Sequence, residues 1–343
     1  MGRYVARRLL QAVPLLLIIS VVLFVLMQSI GDPVATMGGR RPTRAADRER
    51  LRRLLGLDKP VIVQYLYWLV GNDWTKVDLD GDGVAETRGQ RKGVLRGDFG
   101  SSLRKRQPAL DLIGERLPNT LLLMGAYEIV VIFGALAVGI YSAVRQYSLF
   151  DHVVTAASFV LYSMPIFFIG LLSMYIFAVS FKEWGLPYLP TVGMFEPEVG
   201  KTVPQVLWHI ILPVMSLALI SLAGYSRYMR SSMLEVLGQD YIRTAKSKGL
   251  ERRYVLFVHA LKNAALPIVT IVGLDLPSLL GGAIVTERIF GWPGMGRLFF
   301  DSVGDADTPV LMAILMMVSV AVILFQILTD VAYAWLDPRI RYD

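Results

Sequence analysis

Long apolar runs alternate with polar segments along the whole chain, and six of these runs are long enough to cross a bilayer. A membrane-spanning helix needs about 20 mainly apolar residues. The runs are Leu9 to Ile30, Leu117 to Val144, Val153 to Phe181, Thr202 to Ser226, Asn263 to Thr286 and Thr308 to Thr329. An even number of spans returns the chain to its starting side. The pattern therefore predicts an all-α, polytopic membrane protein with six transmembrane helices.

Basic residues predict the orientation of these spans. They lie at Arg3, Arg7 and Arg8, at Arg145, between Arg227 and Lys262, and at Arg339 and Arg341. With six spans, all of these positions fall on one side, which the positive-inside rule makes cytoplasmic. The segment 31–116 is also rich in arginine and falls on the other side, but segments this long are translocated largely regardless of charge. Both termini are therefore predicted to be cytoplasmic.

The same pattern divides the chain into four parts. They are a cytoplasmic N-terminus with the first span (1–30), an extracytoplasmic segment (31–116), a five-helix core (117–335) with a cytoplasmic loop at 227–262, and a cytoplasmic tail (336–343). Within the second part, Asp47 to Leu57 has three leucines on one helical face, and Pro60 to Leu69 is apolar but too short to span. We expect both to form helices that lie on the membrane surface or cap the bundle.

Composition excludes several classes of protein. Of 343 residues, 54% are hydrophobic, which places the chain in a bilayer. There is no cysteine, so disulfides and thiolate metal sites are excluded, and the three histidines are scattered. The formal charge of +7 is read as a topology signal and not as nucleic-acid binding, because no basic stripe with interleaved aromatic residues stands apart from the spans. No protease motif is present, and no phosphate-binding loop of the form Gly-x-x-x-x-Gly-Lys-Ser/Thr, so no enzymatic activity is predicted.

Several short motifs occur in a characteristic order. They include Gly31-Asp32-Pro33, Gly97-Asp98-Phe99-Gly100, Arg116-Leu117-Pro118-Asn119-Thr120, a polar segment with Arg243-Thr244-Ala245 and Gly249 before Leu266-Pro267, Phe290-Gly291-Trp292-Pro293-Gly294-Met295-Gly296, and Asp337-Pro338-Arg339. In this order they resemble permease subunits of importers in the ATP-binding cassette superfamily. The variant is similar to the first, B-type permease of the dipeptide and oligopeptide branch.

The resemblance implies a non-catalytic subunit that forms half of a pore for peptides in a bacterial or archaeal inner membrane. It implies four kinds of partner: a second related permease, two ATP-binding cassette ATPases that bind ATP and magnesium, an external peptide-binding protein, and membrane lipid. Nucleic acid is not among the expected partners. A nickel or other small-solute importer of the same branch is the first alternative. A secondary transporter that works without ATP is the second.

The polar loop between the fourth and fifth spans is the predicted contact with the ATPase. The residues assigned to it are Asp240, Ile242, Arg243, Ala245, Lys246, Lys248, Gly249 and Leu250. Apolar Ile242, Ala245 and Leu250 are expected to seat in the ATPase, and the basic residues to pair with acidic groups around the rim. Gly249 would allow a sharp backbone turn. The alternative is a basic surface loop held by lipid headgroups.

Two further features suggest functional sites. The loop formed by Trp292, Pro293, Gly294, Met295 and Gly296 is predicted to face the external binding protein, with a plain connecting turn as the alternative. Glu128 and Asp275 are ionisable residues inside predicted spans, where charge is costly. Both are candidate pore residues that contact a peptide amino terminus or line a hydrated path. Hydrogen bonding between helices is the alternative for each.

An apparent insertion at 71–92 contains carboxylates at alternate positions. Asp78, Asp80 and Asp82 precede Gly83, and Glu86 follows. Calcium-binding loops use this spacing because it brings several hard oxygen ligands together. The match is incomplete, since the twelfth position is Gly89 where such loops have glutamate. The segment is therefore a candidate Ca²⁺ site or a solvated acidic turn.

Overall fold

The computed structural model describes residues 2–29, 45–78, 85–275 and 282–336. In this part of the chain the secondary structure is almost wholly helical, which confirms the predicted all-α class. The described chain divides into two compact units. The first comprises Met1–Tyr4, Pro118–Arg297 and Val322–Asp343, and the second comprises Val5–Leu117 and Leu298–Ala321.

Sixteen α-helices are described, together with one short hairpin and three short turns of other helix types. The helices are α1 (Gly2–Ser29), α2 (Ala45–Leu55), α3 (Val61–Leu69), α4 (Ala109–Val144), α5 (Leu149–Ser163), α6 (Ile166–Met174), α7 (Phe181–Glu183), α8 (Val203–His209), α9 (Ile211–Leu237), α10 (Asp240–Ser247), α11 (Arg252–Tyr254), α12 (Leu261–Ala264), α13 (Leu266–Asp275), α14 (Ile284–Ile289), α15 (Met295–Gly304) and α16 (Thr308–Leu336). Strands β1 (Lys76–Val77) and β2 (Thr87–Arg88) pair antiparallel. A 3₁₀ turn covers Val94–Arg96, and π-helical turns cover Tyr175–Ser180 and Val255–Ala260.

Five described helical segments are long and apolar enough to cross a membrane. They are Tyr4–Ser29, Ala109–Val144, Ile166–Glu183, Ile211–Leu237 and Thr308–Val331. A sixth is added if Arg252–Ala264 and Leu266–Asp275 count as one span bent by 45°. The predicted six spans are therefore confirmed when the bent pair is counted as one span.

Prolines explain where the helices differ from the predicted spans. The apolar run 153–181 is interrupted at Met164, whose extended backbone precedes Pro165. The run 202–226 is divided between α8 and α9, because Pro213 cannot donate to the carbonyl of His209. The run 263–286 is not one straight helix, since the chain bends by 45° just before Pro267. Helix α9 also continues into the predicted cytoplasmic loop as far as Leu237.

In the second unit, α3 packs against apolar residues of α1 and α16. Its Trp68 is buried beside Phe24 and Met312. Polar contacts reinforce the packing of α3 on α1: the hydroxyls of Ser20 and Tyr65 lie 2.8 Å apart, and Gln28 Nε2 donates to Gln64 Oε1 at 2.7 Å. The helices predicted at Asp47–Leu57 and Pro60–Leu69 are confirmed as α2 and α3, and α3 caps helices of its own unit.

The first unit contains two clusters of buried side chains, both built around α9. One brings α9 together with α4, α8 and Trp292. The other lies at the opposite end of α9 and joins it to α10, α12 and α13. Helix α9 therefore contributes to both buried clusters of this unit.

Candidate functional site

Helix α10 has one buried face and one exposed face. Ile242 is fully buried and Ala245 nearly so, and both join the cluster that contains Met229 and Met233 of α9. The prediction that Ile242 and Ala245 seat in a partner is therefore wrong, because the periodicity that marks an amphipathic helix does not say which protein covers its apolar face. Leu250 is exposed, as that prediction requires.

The other face of α10 and the turn after it are polar and exposed. We call this surface the basic rim. It consists of Arg243, Lys246, Lys248, Arg252 and Arg253, with one acidic residue, Asp240, at the start of α10. Arg243 lies 3.6 Å from Asp240, but both side chains are solvated, so this ion pair contributes little stability. The basic residues are therefore available for contacts outside this chain.

Gly249 ends the helical segment that carries this rim. Its φ is +75°, in the left-handed region, and its N–H donates to the carbonyl of Lys246 at 3.0 Å. Left-handed glycine is the usual way to finish an α-helix because it has no Cβ. A Cβ at Gly249 would meet nothing within 4 Å, so glycine is required here by the backbone and not by a close approach within the chain.

A hydrogen bond that the sequence did not predict fixes the N-terminal end of α10. Asn263 Nδ2, in α12, donates to the Tyr241 hydroxyl at 2.8 Å. The position of α10 is thus set by its apolar face, which packs in the cluster with the π-helical turn Val255–Ala260, and by a hydrogen bond to α12. The buried cluster therefore links α10 to α9 through the π-helical turn Val255–Ala260, which packs against both helices.

A buried ion pair fixes the same end of α9. Arg230 donates to Asp151 through Nε and an η nitrogen, at 2.6 and 2.7 Å. Asp151 also accepts from Ser142 of α4 and from the Tyr147 backbone N–H. The hydrogen bonds from Arg230 lower the pKa of Asp151 well below its usual value, despite the opposing effect of burial. The sequence offered no signal for this contact, because its partners lie far apart along the chain.

The loop predicted to face a binding protein is packed into this chain. Trp292, Met295, Gly294 and Gly296 are buried, and Pro293 is half-buried. Trp292 Nε1 donates to the Asn119 carbonyl at 2.9 Å, and Asn119 Nδ2 returns a hydrogen bond to the Pro293 carbonyl at 3.0 Å. The predicted outward role of these five residues is therefore not supported, because the indole that would reach a partner is used inside the chain.

Glu287 accepts hydrogen bonds from residues at the end of that loop. Its carboxylate accepts from Thr120 Oγ1 at 3.0 Å and from the Arg297 N–H at 2.8 Å. Thr120 Oγ1 in turn accepts from the Met295 N–H at 2.7 Å. A Cβ at Gly294 would lie 2.4 Å from Glu287 Cδ, so only glycine fits there. The carboxylate thus satisfies backbone groups at the start of α15, where helices leave N–H groups unpaired.

The structure brings Glu128 and Asp275 into one region. We call the group formed by Tyr127, Glu128, Ser221, Tyr225 and Asp275 the acid–tyrosine cluster. Tyr127 Oη donates to Ser221 Oγ at 2.8 Å, and Tyr225 Oη donates to Asp275 Oδ2. Glu128 follows Tyr127 on α4 and is buried, with 6% of its surface exposed. The tyrosines and Ser221 were not predicted, because hydroxyls within apolar helices give no pattern that separates them from core residues.

The acidic insertion connects the two strands of the hairpin. Lys76 pairs with Arg88 and Val77 with Thr87, so residues 78–86 form the connection. Asp78 is half-buried and Glu86 is exposed, while Asp80 and Asp82 lie outside the described residues. Within the described ranges no group of three potential metal ligands is found. A Ca²⁺ site at Asp78, Asp80, Asp82 and Glu86 stays a prediction.

Comparison with known proteins identifies relatives along the whole chain. A family model described as the binding-protein-dependent transport system inner membrane component matches residues 135–342, and a model for the N-terminal part of such membrane components matches residues 1–124. The chain is 40% identical to the oligopeptide transport system permease protein AppB of Bacillus subtilis over 344 aligned residues, covering 100% of both chains. It is 36% identical to the dipeptide transport system permease protein DppB of Escherichia coli, covering 100% of this chain and 99% of that one. It is 37% identical to the di/tripeptide transport system permease protein DppB of Pseudomonas aeruginosa, covering 99% and 98%.

Proposed function

Because the chain belongs to the family of binding-protein-dependent transport system inner membrane components, we propose that it forms half of the pore of an ATP-driven peptide importer. Three relatives that align over nearly their whole length are named as permeases for oligopeptides, dipeptides or di- and tripeptides. These names support peptides as the transported substrate. An external binding protein would deliver the peptide, and a second related permease would complete the pore.

The packing of α10 is the observation that carries this proposal. The helix buries Ile242 and Ala245 in the cluster that also contains Met229 and Met233, and it presents Arg243, Lys246 and Lys248 on its exposed face. A separate ATPase with an acidic groove would bind the basic rim, and its movement on ATP binding would be passed to α9 through the buried face. The chain has no phosphate-binding loop of its own, which supports assigning ATP hydrolysis to separate subunits.

This assignment places the basic rim, and with it both termini, on the cytoplasmic side. The excess of lysine and arginine in the short loops supports that orientation. The packed loop at Trp292–Gly296 then lies at the extracytoplasmic side, where it stabilises this subunit and does not reach for the binding protein. Contacts with the binding protein would be made by residues other than the buried Trp292 and Met295.

Replacement of Gly249 tests the coupling role. In Gly249→Val the left-handed backbone becomes strained by about 1–2 kcal/mol or more, and the turn after α10 shifts. We expect the assembled complex to form but to lose peptide-stimulated ATP hydrolysis. Gly185→Val is the matched control, since Gly185 also has a left-handed backbone (φ +69°) with open space around its Cα and follows α7, outside the coupling segment.

Three measurements on the reconstituted complex decide the outcome: assembly by size-exclusion chromatography, ATP hydrolysis with and without peptide-loaded binding protein, and peptide uptake into vesicles. Loss of stimulation in Gly249→Val with retention in Gly185→Val supports coupling through α10. Full stimulation in Gly249→Val contradicts it. Peptide uptake by this chain alone, driven by an ion gradient, would contradict the importer proposal as a whole.

A further inference from the structure

The segment between the first two spans contains three consecutive basic residues, Arg104, Lys105 and Arg106, shortly before α4 begins. All three side chains are exposed on a tight turn, which we call the basic turn (residues 101–108). Arg104 lies 3.5 Å from Asp305, so its charge is partly offset within the chain. Among the described residues, Lys105 and Arg106 have neither an ion pair nor a side-chain hydrogen bond. Two adjacent positive charges are therefore available for a partner.

Buried hydrogen bonds hold the basic turn in one shape. Ser102 is 2% exposed, and Asp307, just before α16, is 4% exposed. The Asp307 carboxylate accepts from the Ser102 hydroxyl and, at 3.1 Å, from the Leu103 N–H. Ser102 Oγ in turn accepts from the Lys105 N–H at 2.9 Å. A buried polar network whose members are paired is rigid, so the basic side chains are presented from a fixed backbone.

Arg106 has a backbone conformation that glycine adopts more easily. Its φ is +57°, in the left-handed region, where a Cβ causes strain. Its N–H donates to the Ser102 carbonyl at 2.9 Å, a bond that any residue except proline could make. Strained residues cluster at functional sites, and the exposed Arg106 side chain makes no polar contact among the described residues. A contact outside this chain would account for an arginine at this position.

The composition of the turn favours a protein partner over a membrane surface. Segments that lie on membranes combine lysine and arginine with apolar side chains that enter the lipid. Residues 104–107 are all polar and exposed, and the adjoining Leu103 is half-buried. Positive charges on a rigid, wholly polar turn fit an acidic protein surface, because complementary charges guide and orient association.

We propose that the basic turn is a docking site for an acidic patch on the external peptide-binding protein. This inference rests on the proposed function, whose orientation places the segment between the first two spans outside the membrane. The turn lies just before α4 and is bonded to Asp307 at the start of α16, all within the second unit. A binding protein held there would lie over the outer ends of two membrane helices, which suits delivery of peptide to the pore.

Replacement of Arg106 by glycine separates docking from a structural role. Glycine accepts the left-handed backbone without strain, so we expect the Tm of Arg106→Gly in detergent to be at least that of the unmodified chain. Half-maximal stimulation of ATP hydrolysis should nevertheless need about threefold more binding protein, as for the loss of one exposed ion pair. The double variant Arg106→Gly with Lys105→Ala should need about tenfold more. Arg88→Ala, which removes an exposed charge of the same segment, is the control and should change neither value.

The probe is a peptide-binding protein that stimulates the unmodified complex, loaded with alanyl-alanine. A lower Tm in Arg106→Gly would assign the residue a structural role and overturn the docking site. Undiminished response in the double variant, or an equal loss in Arg88→Ala, would also overturn it. If no peptide-loaded binding protein stimulates the unmodified complex, the proposed function itself fails.

Crosslinking identifies the partner of the basic turn. A water-soluble carbodiimide joins a lysine amine to a carboxylate in contact with it, and mass spectrometry locates the joined residues. We expect Lys105 to be joined to an aspartate or glutamate of the binding protein, and exposed Lys76 of the same segment not to be. Complexes in nanodiscs of phosphatidylcholine, with and without phosphatidylglycerol, provide the lipid arm. A defect of the double variant that requires phosphatidylglycerol, with no crosslink at Lys105, would assign the turn to anionic lipid and overturn the proposal.

Discussion

The guanidinium of Arg230 donates two hydrogen bonds, of 2.6 and 2.7 Å, to the carboxylate of Asp151. The Asp151 side chain is only 3% exposed, so its charge is neutralised within the protein and not by water. The pair joins α9 to the start of α5, and Ser142 adds α4 through a further bond to the same carboxylate. Three helices are thus tied together at the end of α9 that receives α10.

We predict that Arg230→Met destabilises the chain by about 3–5 kcal/mol, because it leaves the Asp151 charge buried without its partner. The expected result is a markedly lower Tm for the purified chain in detergent. The double variant Arg230→Met with Asp151→Asn should recover part of this loss, since it removes the uncompensated charge. Glu49→Gln is the control, because the Glu49 carboxylate is 54% exposed, whereas that of Asp151 is buried, and its pair with Arg53 should contribute less than about 1 kcal/mol. Equal effects of the buried and exposed changes would contradict this account.

The same pair predicts a specific dependence of stability on pH. The hydrogen bonds from Arg230 lower the pKa of Asp151 in the folded chain below the ordinary value of 3.8. A lowered carboxyl pKa contributes stability that is fully present above the unfolded pKa and is lost as pH falls through the folded pKa. The difference in Tm between the unmodified chain and Asp151→Asn should therefore be constant between about pH 5 and about pH 8 and shrink only in stronger acid. A difference that already shrinks near neutral pH would assign the effect to another group.

Gly294 gives a prediction about the packed loop. A methyl group at this position would lie 2.4 Å from Glu287 Cδ and 2.5 Å from Thr120 Oγ1. We expect Gly294→Ala to cost about 1–3 kcal/mol or more through overpacking and loss of the Thr120–Glu287 hydrogen bond. Gly125→Ala is the matched control within α4, since a Cβ there meets nothing within 4 Å and alanine favours the helix by up to about 1 kcal/mol.

Thermal unfolding in detergent measures both glycine variants. If Gly294→Ala were as stable as the unmodified chain, the loop would not be packed against Glu287, and an outward-facing loop would be favoured again. If both variants lost stability, the effect of Gly294 could not be attributed to its contacts.

The number and approximate location of the membrane helices could be predicted from the sequence because bilayer thickness sets the length of an apolar run. The shapes of those helices could not. Pro165, Pro213 and Pro267 all lie inside apolar runs, and hydropathy alone treats them as ordinary members of a span. Their effect depends on the missing N–H and on the ring, which interrupt the helix at or just before each proline.

The candidate sites also contain some residues that the sequence indicates and others that it does not. Glu128 and Asp275 stood out because charge is rare in apolar helices, and the hydrogen bonds of Tyr127 and Tyr225 to α9 and α13 bring their parts of the chain into one region. Tyr225 and Ser221 gave no such signal, and only the packing of α4, α9 and α13 brings them to the two acids. For Trp292, a glycine-rich surrounding indicated an exposed loop, whereas the glycines admit Glu287 and neighbouring backbone at close range.

The two faces of α10 give a test that separates packing within the chain from contact with an ATPase. Ile242→Ala should destabilise the isolated chain by about 2–4 kcal/mol, because it opens a cavity beside Met229 and Met233. Arg243→Glu, on the exposed face, should leave the Tm nearly unchanged but weaken ATPase binding, since it reverses a charge of the basic rim. The Tm in detergent measures the stability of each variant. Co-purification of the ATPase at increasing salt measures its binding. If Ile242→Ala instead left stability intact and abolished ATPase binding, Ile242 would be a partner contact, and the buried position described for it would be wrong.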